Sequence, residues 1–318
     1  DKMFKLQPSF KDYLWGGTKL RTVYGKDCSL DKVAESWELS THKDGLTIID
    51  SGEHKGETLL SYVEKYGKEV LGTKCPLDND IPILIKFIDA KDALSIQVHP
   101  DNEYALKNEN DFGKTEMWYV IDAEPNAKLI YGFKENITKE QFKNAIETNT
   151  LEELVNEVDV KAGDVFFITP GTMHAIGKGI VIAEIQQRSN VTYRIYDFGR
   201  VGADGKTREL HIDKALDVTK LESAKNAKTE YTLNKFDGYE KGNLATCEYF
   251  NVDLLNIETS ATLKCDETTF NCITVLDGNC TIIGKNSLEM KKGESIFIPA
   301  SYGEYTINGN CKVVLSTL

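Results

Sequence analysis

Two short stretches of this chain, with one histidine further on, hold side chains of the kind that bind divalent metals. In Ser95-Ile96-Gln97-Val98-His99-Pro100-Asp101, Gln97 and His99 stand two residues apart, so on a strand they point to one face. In Lys114-Thr115-Glu116-Met117-Trp118-Tyr119, the same spacing puts Lys114 and Glu116 on one face. His174 follows Pro170-Gly171-Thr172-Met173, a turn sequence that aims a side chain off the end of a strand. Two imidazoles, one carboxylate and one amide oxygen make a mixed nitrogen–oxygen donor set for a borderline cation. Zinc fits best, and manganese, iron and cobalt are not excluded by these donors. Each residue also has a plainer reading: His99 as a turn histidine before Pro100, Glu116 as a solvated strand start, His174 as a capped loop. The other three of the five histidines, His42, His54 and His211, stand in no ligand spacing and are read as surface or structural.

Strands must carry these residues. Ile81-Pro82-Ile83-Leu84-Ile85-Lys86-Phe87-Ile88, Met117-Trp118-Tyr119-Val120-Ile121 and Asp164-Val165-Phe166-Phe167-Ile168 are rich in β-branched and aromatic residues, and Asp, Gly and Pro bound them. Helical spacing is confined to three segments: about 57–66, 138–158 and 212–222. The middle one reads as two helices, each opened by a threonine with Gln141 or Glu153 three residues on. A polar stretch from about Ser223 to Gly242 separates a second strand-rich region, Thr246 to Leu318.

That second region echoes the first. Gly163-Asp164-Val165-Phe166-Phe167-Ile168-Thr169-Pro170 returns as Gly293-Glu294-Ser295-Ile296-Phe297-Ile298-Pro299. Trp118-Tyr119-Val120-Ile121-Asp122 returns as Ile273-Thr274-Val275-Leu276-Asp277. Such pairing predicts a mainly β protein of two jelly-roll β-sandwich modules with a small inserted helical block. The expected boundaries are 1–230 for a catalytic module and 231–318 for a degenerate one. In the alignment of the copies, Glu116 falls on Asn271 and His174 on Gly303, so one metal ion per chain is expected.

The bulk composition narrows the partners. With 318 residues, 41% hydrophobic and 28% charged, the chain can bury a core without metal or disulfide support. A net charge of −12 argues against nucleic acid and anionic membranes as partners. Any anionic substrate must therefore meet a local cluster of Lys and Arg. The seven cysteines are odd in number and form no C-x-x-C pair, which fits free thiols in a reducing cytoplasm. Asp1 to Gly16 has no apolar signal region, and no apolar run is long enough to span a bilayer. The expected state is a monomer or weak homodimer.

Gly163 to His174 resembles the second cupin motif, with the overall Gly-to-His spacing kept but Pro170 and Gly171 adjacent. Cupins that activate oxygen commonly offer H-x-H in the first motif, whereas this chain has Gln97-Val98-His99. That departure resembles the type I mannose-6-phosphate isomerases in their short bacterial form. Trp15-Gly16-Gly17 with Leu20, Glu35-Ser36-Trp37-Glu38, Gln186 to Arg200 and His211-Ile212-Asp213-Lys214-Ala215-Leu216 share the likeness, in the family's order, over roughly residues 3–220. The resemblance implies a cupin fold and a zinc ion on Gln97, His99, Glu116 and His174. It places Ser95, Lys114, Glu184, Arg194 and Arg200 around a sugar phosphate.

An aldose–ketose isomerisation moves a proton between C1 and C2 through a cis-enediol(ate). It needs a Lewis acid for the oxygens and a base for the C2 proton. Glu184 is the candidate base, with His174 a rival only if it leaves the metal. Arg194 is cationic at any working pH and suits charge stabilisation. The resemblance implies that Arg200 bonds the phosphate; Ser95 and Lys114 add a hydroxyl and a second point charge, with Lys114 counted among both the catalytic and the substrate-binding residues and solvent its plainer surroundings. Glu184 could instead pair structurally with Arg188 or Arg194, and Trp15 and Trp37 read as packing. A metal-dependent cupin oxygenase and a non-catalytic sugar-binding cupin are the competing functions.

Overall fold

The computed structural model describes residues 2–318. The alternating runs form strands, and two central ones, Ile83–Ala90 and Ile180–Gln187, are buried along their whole length. They have one apolar layer in front and another behind, which is why Ile81 to Ile88 reads as a nearly unbroken apolar run.

The first module is a sandwich. Its six-stranded sheet runs Val165–Ile168, Glu116–Ala123, Ile180–Gln187, Ile83–Ala90, Glu35–Leu39, Ser9–Lys11. Facing it, a five-stranded sheet runs Tyr193–Tyr196, Ile96–Val98, His174–Ile176, Lys128–Phe133, Val155–Asp159. The second module repeats this order. Ser295–Ile298, Asn271–Gly278, Cys311–Thr317, Asn251–Ile257, Tyr239–Thr246 and Asn234–Phe236 form its larger sheet. Ser260–Cys265, Gly303–Asn308, Cys280–Ile283 and Ser287–Met290 form the smaller one. Even the register recurs: Glu116 pairs with Ile168, and Asn271 pairs with Ile298. The repeat seen in the sequence is thus a repeat of architecture.

The period-2 alternation sorts side chains between two cores. In Glu116–Ala123, Trp118 and Val120 enter the sandwich interior with Phe166, Leu129 and Ile182. Met117 and Tyr119 point the other way, into a second core shared with Leu254, Cys272, Phe297 and Val314 of the second module. The two large sheets are thereby welded back to back.

Two expectations are corrected. The strands Phe4–Gln7 and Ile48–Ile49 extend the large sheet of the second module, Phe4 pairing with Phe297, so a cut at residue 230 does not separate the sheets cleanly. Phe4 stacks on Phe297 with ring centroids 5.4 Å apart, and that apolar contact draws the N-terminal strand across. The second helix expected within 138–158 is a single 3-10 turn, Leu151–Glu153, followed by the strand Val155–Asp159. Alternation in Val155-Asn156-Glu157-Val158 wins there, because the segment pairs with Lys128–Phe133. The other expected helices stand at Leu59–Tyr66, Lys139–Glu147 and Ile212–Val218, and the capping box of Thr138 and Gln141 is complete. An unexpected helix, Asn102–Asn108, begins at the N-cap Asp101 and fixes the chain just after His99. Among the described residues, no helix is long and apolar enough to cross a membrane. All seven cysteines are free, five of them buried.

The second module is plugged where the first is open. Tyr305 is 1% exposed, and its hydroxyl accepts from Asn271 Nδ2 at 2.8 Å. Tyr305→Phe is expected to cost about 1–3 kcal/mol, because it strands the buried Asn271 donor. Denaturant unfolding measures this, and an unchanged midpoint would refute the plug.

Candidate metal centre and active site

Strand register assembles the site in two facing rows. Across the six-stranded sheet, Trp37 pairs with Lys86, Lys86 with Glu184, Glu184 with Trp118, and Trp118 with Phe166. One step along, Gln186 pairs with Glu116. Across the five-stranded sheet, Arg194 pairs with Gln97, Gln97 with His174, and His174 with Tyr131. Four residues distant in sequence thus become neighbours because each sits at the matching step of its strand.

His174 owes its direction to a turn. Thr172 N–H donates to Thr169 O at 3.1 Å, and Gly171, third in that turn, has φ +86°. A β-carbon there would lie 2.7 Å from the carbonyl of Val218, so only glycine serves. Gly171 N–H also donates to His99 O at 2.9 Å, which ties the two histidine segments together.

His99, Glu116 and His174 converge, with ligand atoms all within 4.8 Å of one another. Glu116 Oε1 lies 3.5 Å from His99 Nε2 and 3.3 Å from His174 Nε2. Each imidazole has its Nδ1 at 2.9 Å from a backbone carbonyl, Val191 for His99 and Thr172 for His174. A carbonyl only accepts, so both Nδ1 atoms carry the proton and both Nε2 lone pairs face inward. Burial pushes His99 down to about 3, with the Lys114 ammonium adding to the effect, and burial lowers His174 as well. Neutral imidazoles are the form that ligates metal. Glu116 is held well below the usual carboxylate range: burial opposes its charge, but Lys114 and His99 outweigh it.

The buried charges test the fit of a cation. Lys86, Lys114, Glu35, Glu116 and Glu184 are each no more than 6% exposed. Fully ionised, two ammonium groups against three carboxylates leave one negative charge uncompensated, which a divalent ion reverses. With the inward lone pairs, this donor set fits zinc. Gln97 lines the cleft beside the triad, its amide nitrogen 3.5 Å from the carbonyl of Ser95.

Glu184 lines the same cleft as the triad. Its Oε1 accepts from Trp118 Nε1 at 2.7 Å, and Oε2 lies 3.3 Å from Lys86 Nζ and 3.7 Å from Lys114 Nζ, with no hydrogen bond of its own. Burial raises its pKa, and the Glu116 charge adds to the rise. Its partners are thus Lys86 and Trp118; Arg188, offered as a partner by the sequence, bonds Asp80 instead.

Ser95, Lys114 and Arg194 line the same cleft. Arg200 does not: its guanidinium bonds Asp197 and the carbonyl of Ala93. Sequence reading also missed Lys86, Glu35, Tyr13 and Arg208, all of which line the cleft. Lys86 had a visible signal, a lone charge inside an apolar strand, where only a buried partner keeps it. Glu35 and Glu184 keep it charged against burial, pushing its pKa up. Arg208 lies in an exposed polar loop with no such signal. Trp37 packs beneath the site and donates to Glu35 at 2.9 Å, while Trp15 reaches the lining. His42 is buried and bonds Asp111; His54 bonds Glu57.

Comparison with known proteins gives the family of the chain. The family model for phosphomannose isomerase type I, catalytic domain, matches residues 3–126, and that for the mannose-6-phosphate isomerase cupin domain matches 240–318. The chain is 38% identical to mannose-6-phosphate isomerase ManA of Bacillus subtilis (strain 168), over 98% of both chains. It belongs to the type I mannose-6-phosphate isomerase family. A crystal structure of the mannose 6-phosphate isomerase from Bacillus subtilis matches with a TM-score of 0.93 at 32% identity, covering 100% of each chain. Mannose 6-phosphate isomerase from Salmonella typhimurium, solved with substrate (f6p) and zinc, shares the fold at a TM-score of 0.78 and 18% identity over 99% of both chains. The cupin fold expected from the motifs is therefore the family's fold.

Proposed function

We infer that this protein interconverts D-mannose 6-phosphate and D-fructose 6-phosphate, as a zinc-dependent aldose–ketose isomerase. One observation carries the reading. In a chain of this family, His99, Glu116 and His174 converge in the same buried cleft as Lys86, Lys114 and Glu184. The cleft holds about 210 Å³, room for one small polar molecule.

Gln97, His99, Glu116 and His174 would hold the zinc. When bound, the ion supplies Lewis-acid polarisation of the sugar oxygens at C1 and C2. Glu184 moves the proton at Oε2: the C2–H bond of the open-chain aldose breaks, its electron pair forms the C1–C2 double bond, and the C1=O π pair moves to O1, which takes up a proton; O2 then gives up its proton, C2=O forms, and the C1–C2 π pair takes the proton back at C1. Its raised pKa brings a carboxyl closer to the working pH of a base. Lys114 serves the hydroxyl protons, lying 3.7 Å from the Glu184 oxygen. Lys86 holds Glu184 in place, and Arg194 stabilises the negative charge that develops on the enediolate. Ser95, buried in the lining, offers a hydroxyl to the sugar.

The deciding assay compares mannose with its 6-phosphate. The phosphorylated sugar is expected to react with a kcat/KM about a thousandfold higher, since several charge-assisted hydrogen bonds depend on the phosphate. Equal turnover of the two, or oxygen consumption by an iron-loaded sample, would refute the reading.

A further inference from the structure

A ligand that reacts at C1 and C2 in the closed, metal-bearing end of the cleft directs its C6 phosphate toward the open end. Two guanidinium groups line the cleft, Arg194 and Arg208, both partly exposed where His99, Glu116 and His174 are buried. Arg208 is fixed from behind. Its Nε donates to Asp197 Oδ2 at 2.9 Å and its Nη2 to Oδ1 at 2.7 Å, a two-pronged pair that sets the plane of the group. The same Oδ1 accepts from Arg200 Nη2 at 2.6 Å, and Arg200 also donates to the carbonyl of Ala93, two residues before Ser95.

One carboxylate therefore faces two guanidinium groups, and a positive charge is left over. Burial opposes the Asp197 charge, yet its hydrogen bonds from Arg208 and Arg200 hold its carboxyl below the usual range. Arg194 has no carboxylate within 4 Å among the described residues, and its buried Nε finds no partner. Arg194 and the loop carrying Arg208 are stitched together. His211 N–H donates to Arg194 O at 2.7 Å, Arg194 N–H to His211 Nδ1 at 3.0 Å, and Arg194 Nη1 to Glu209 O at 2.8 Å. In a chain of net charge −12, such unneutralised donors at a cleft mouth serve an anion.

We propose that Arg208, oriented by Asp197, contacts the phosphate of the substrate beside Arg194, and that Arg200 is a positioning residue that locks Asp197 without touching the ligand. The identity of the ligand rests on the isomerase reading above; the anion site does not.

The test uses the zinc-loaded full chain with Arg208→Gln, Arg208→Lys, Asp197→Asn and Arg200→Gln. Two readouts are taken: KM and kcat for mannose 6-phosphate, and binding of inorganic phosphate by calorimetry. Arg208→Gln is expected to raise KM and the phosphate Kd together by about 10- to 100-fold, with a much smaller fall in kcat. Arg208→Lys, which keeps the charge but loses the fork, is expected to weaken both by about 3- to 10-fold and serves if the Gln variant fails to fold. Asp197→Asn and Arg200→Gln should give smaller KM effects, in that order. Wild-type KM and phosphate affinity in the Arg208 variants overturn the proposal, as does a larger loss of phosphate affinity in Arg200→Gln than in Arg208→Gln. Phosphate binding that depends on Arg208 in a wild-type enzyme without isomerase turnover would leave the anion site standing and defeat the isomerase reading. Absence of phosphate binding in the wild type defeats the proposal itself.

Discussion

Stripping the metal with a transition-metal chelator is expected to reduce turnover of mannose 6-phosphate to background, a loss of at least about a thousandfold, and one equivalent of zinc per chain is expected to restore it. The physical reason lies in the charges. Lys114 Nζ sits 2.5 Å from Glu116 Oε2 and 3.3 Å from His99 Nε2, so an ammonium already compensates part of the Glu116 charge. That compensation helps the apo fold to persist, and the large core means folding does not depend on the ion. An ammonium, however, cannot polarise two sugar oxygens as a divalent Lewis acid does. Metal analysis should give a stoichiometry of one, since the second module presents Asn271 at the register of Glu116 and fills the space beside it with the buried Tyr305. Full activity in protein shown to be metal-free would overturn the isomerase mechanism.

Glu184→Gln is expected to lower kcat by about 10²- to 10⁴-fold, with zinc content retained and KM little changed. The substitution keeps the shape of the side chain and an oxygen to accept from Trp118 Nε1, while removing the basic Oε2 that lies between Lys86 and Lys114. Because Glu184 is opposite Lys86 on one neighbouring strand and Trp118 on the other, its position depends on sheet register and survives the change. Exchange of the C2 hydrogen with deuterated water gives a second readout, and it should fall in step with kcat. A kcat within tenfold of wild type, with exchange intact, would move the proton-transfer role away from Glu184.

Much of this protein is legible before folding. The spacing of Gln97 and His99, the carboxylate at Glu116, and the turn before His174 mark the candidate metal donors, because strand periodicity and glycine conformation are local properties. The same holds for the helix cap at Thr138 and for the two-module repeat, whose matching runs carry the same alternation. What local properties cannot carry is the identity of cross-strand neighbours. Glu184 could have met Arg188 or Arg194 by proximity in sequence; strand pairing gave it Lys86 instead, nearly a hundred positions away. The N-terminal strand crossed to the second module because Phe4 and Phe297 bury each other there, a contact with no local signature. The exchange of Arg200 for Arg208 at the cleft has the same origin. Both are arginines in one polar loop, alike in sequence, and the choice between them fell to the single buried carboxylate of Asp197 and the carbonyl of Ala93. By itself the sequence determined which residues could hold a metal and what chemistry that metal could support. Only the tertiary structure decided which buried charges surround those donors and which cations line the cleft, because register and burial act between segments far apart in the chain.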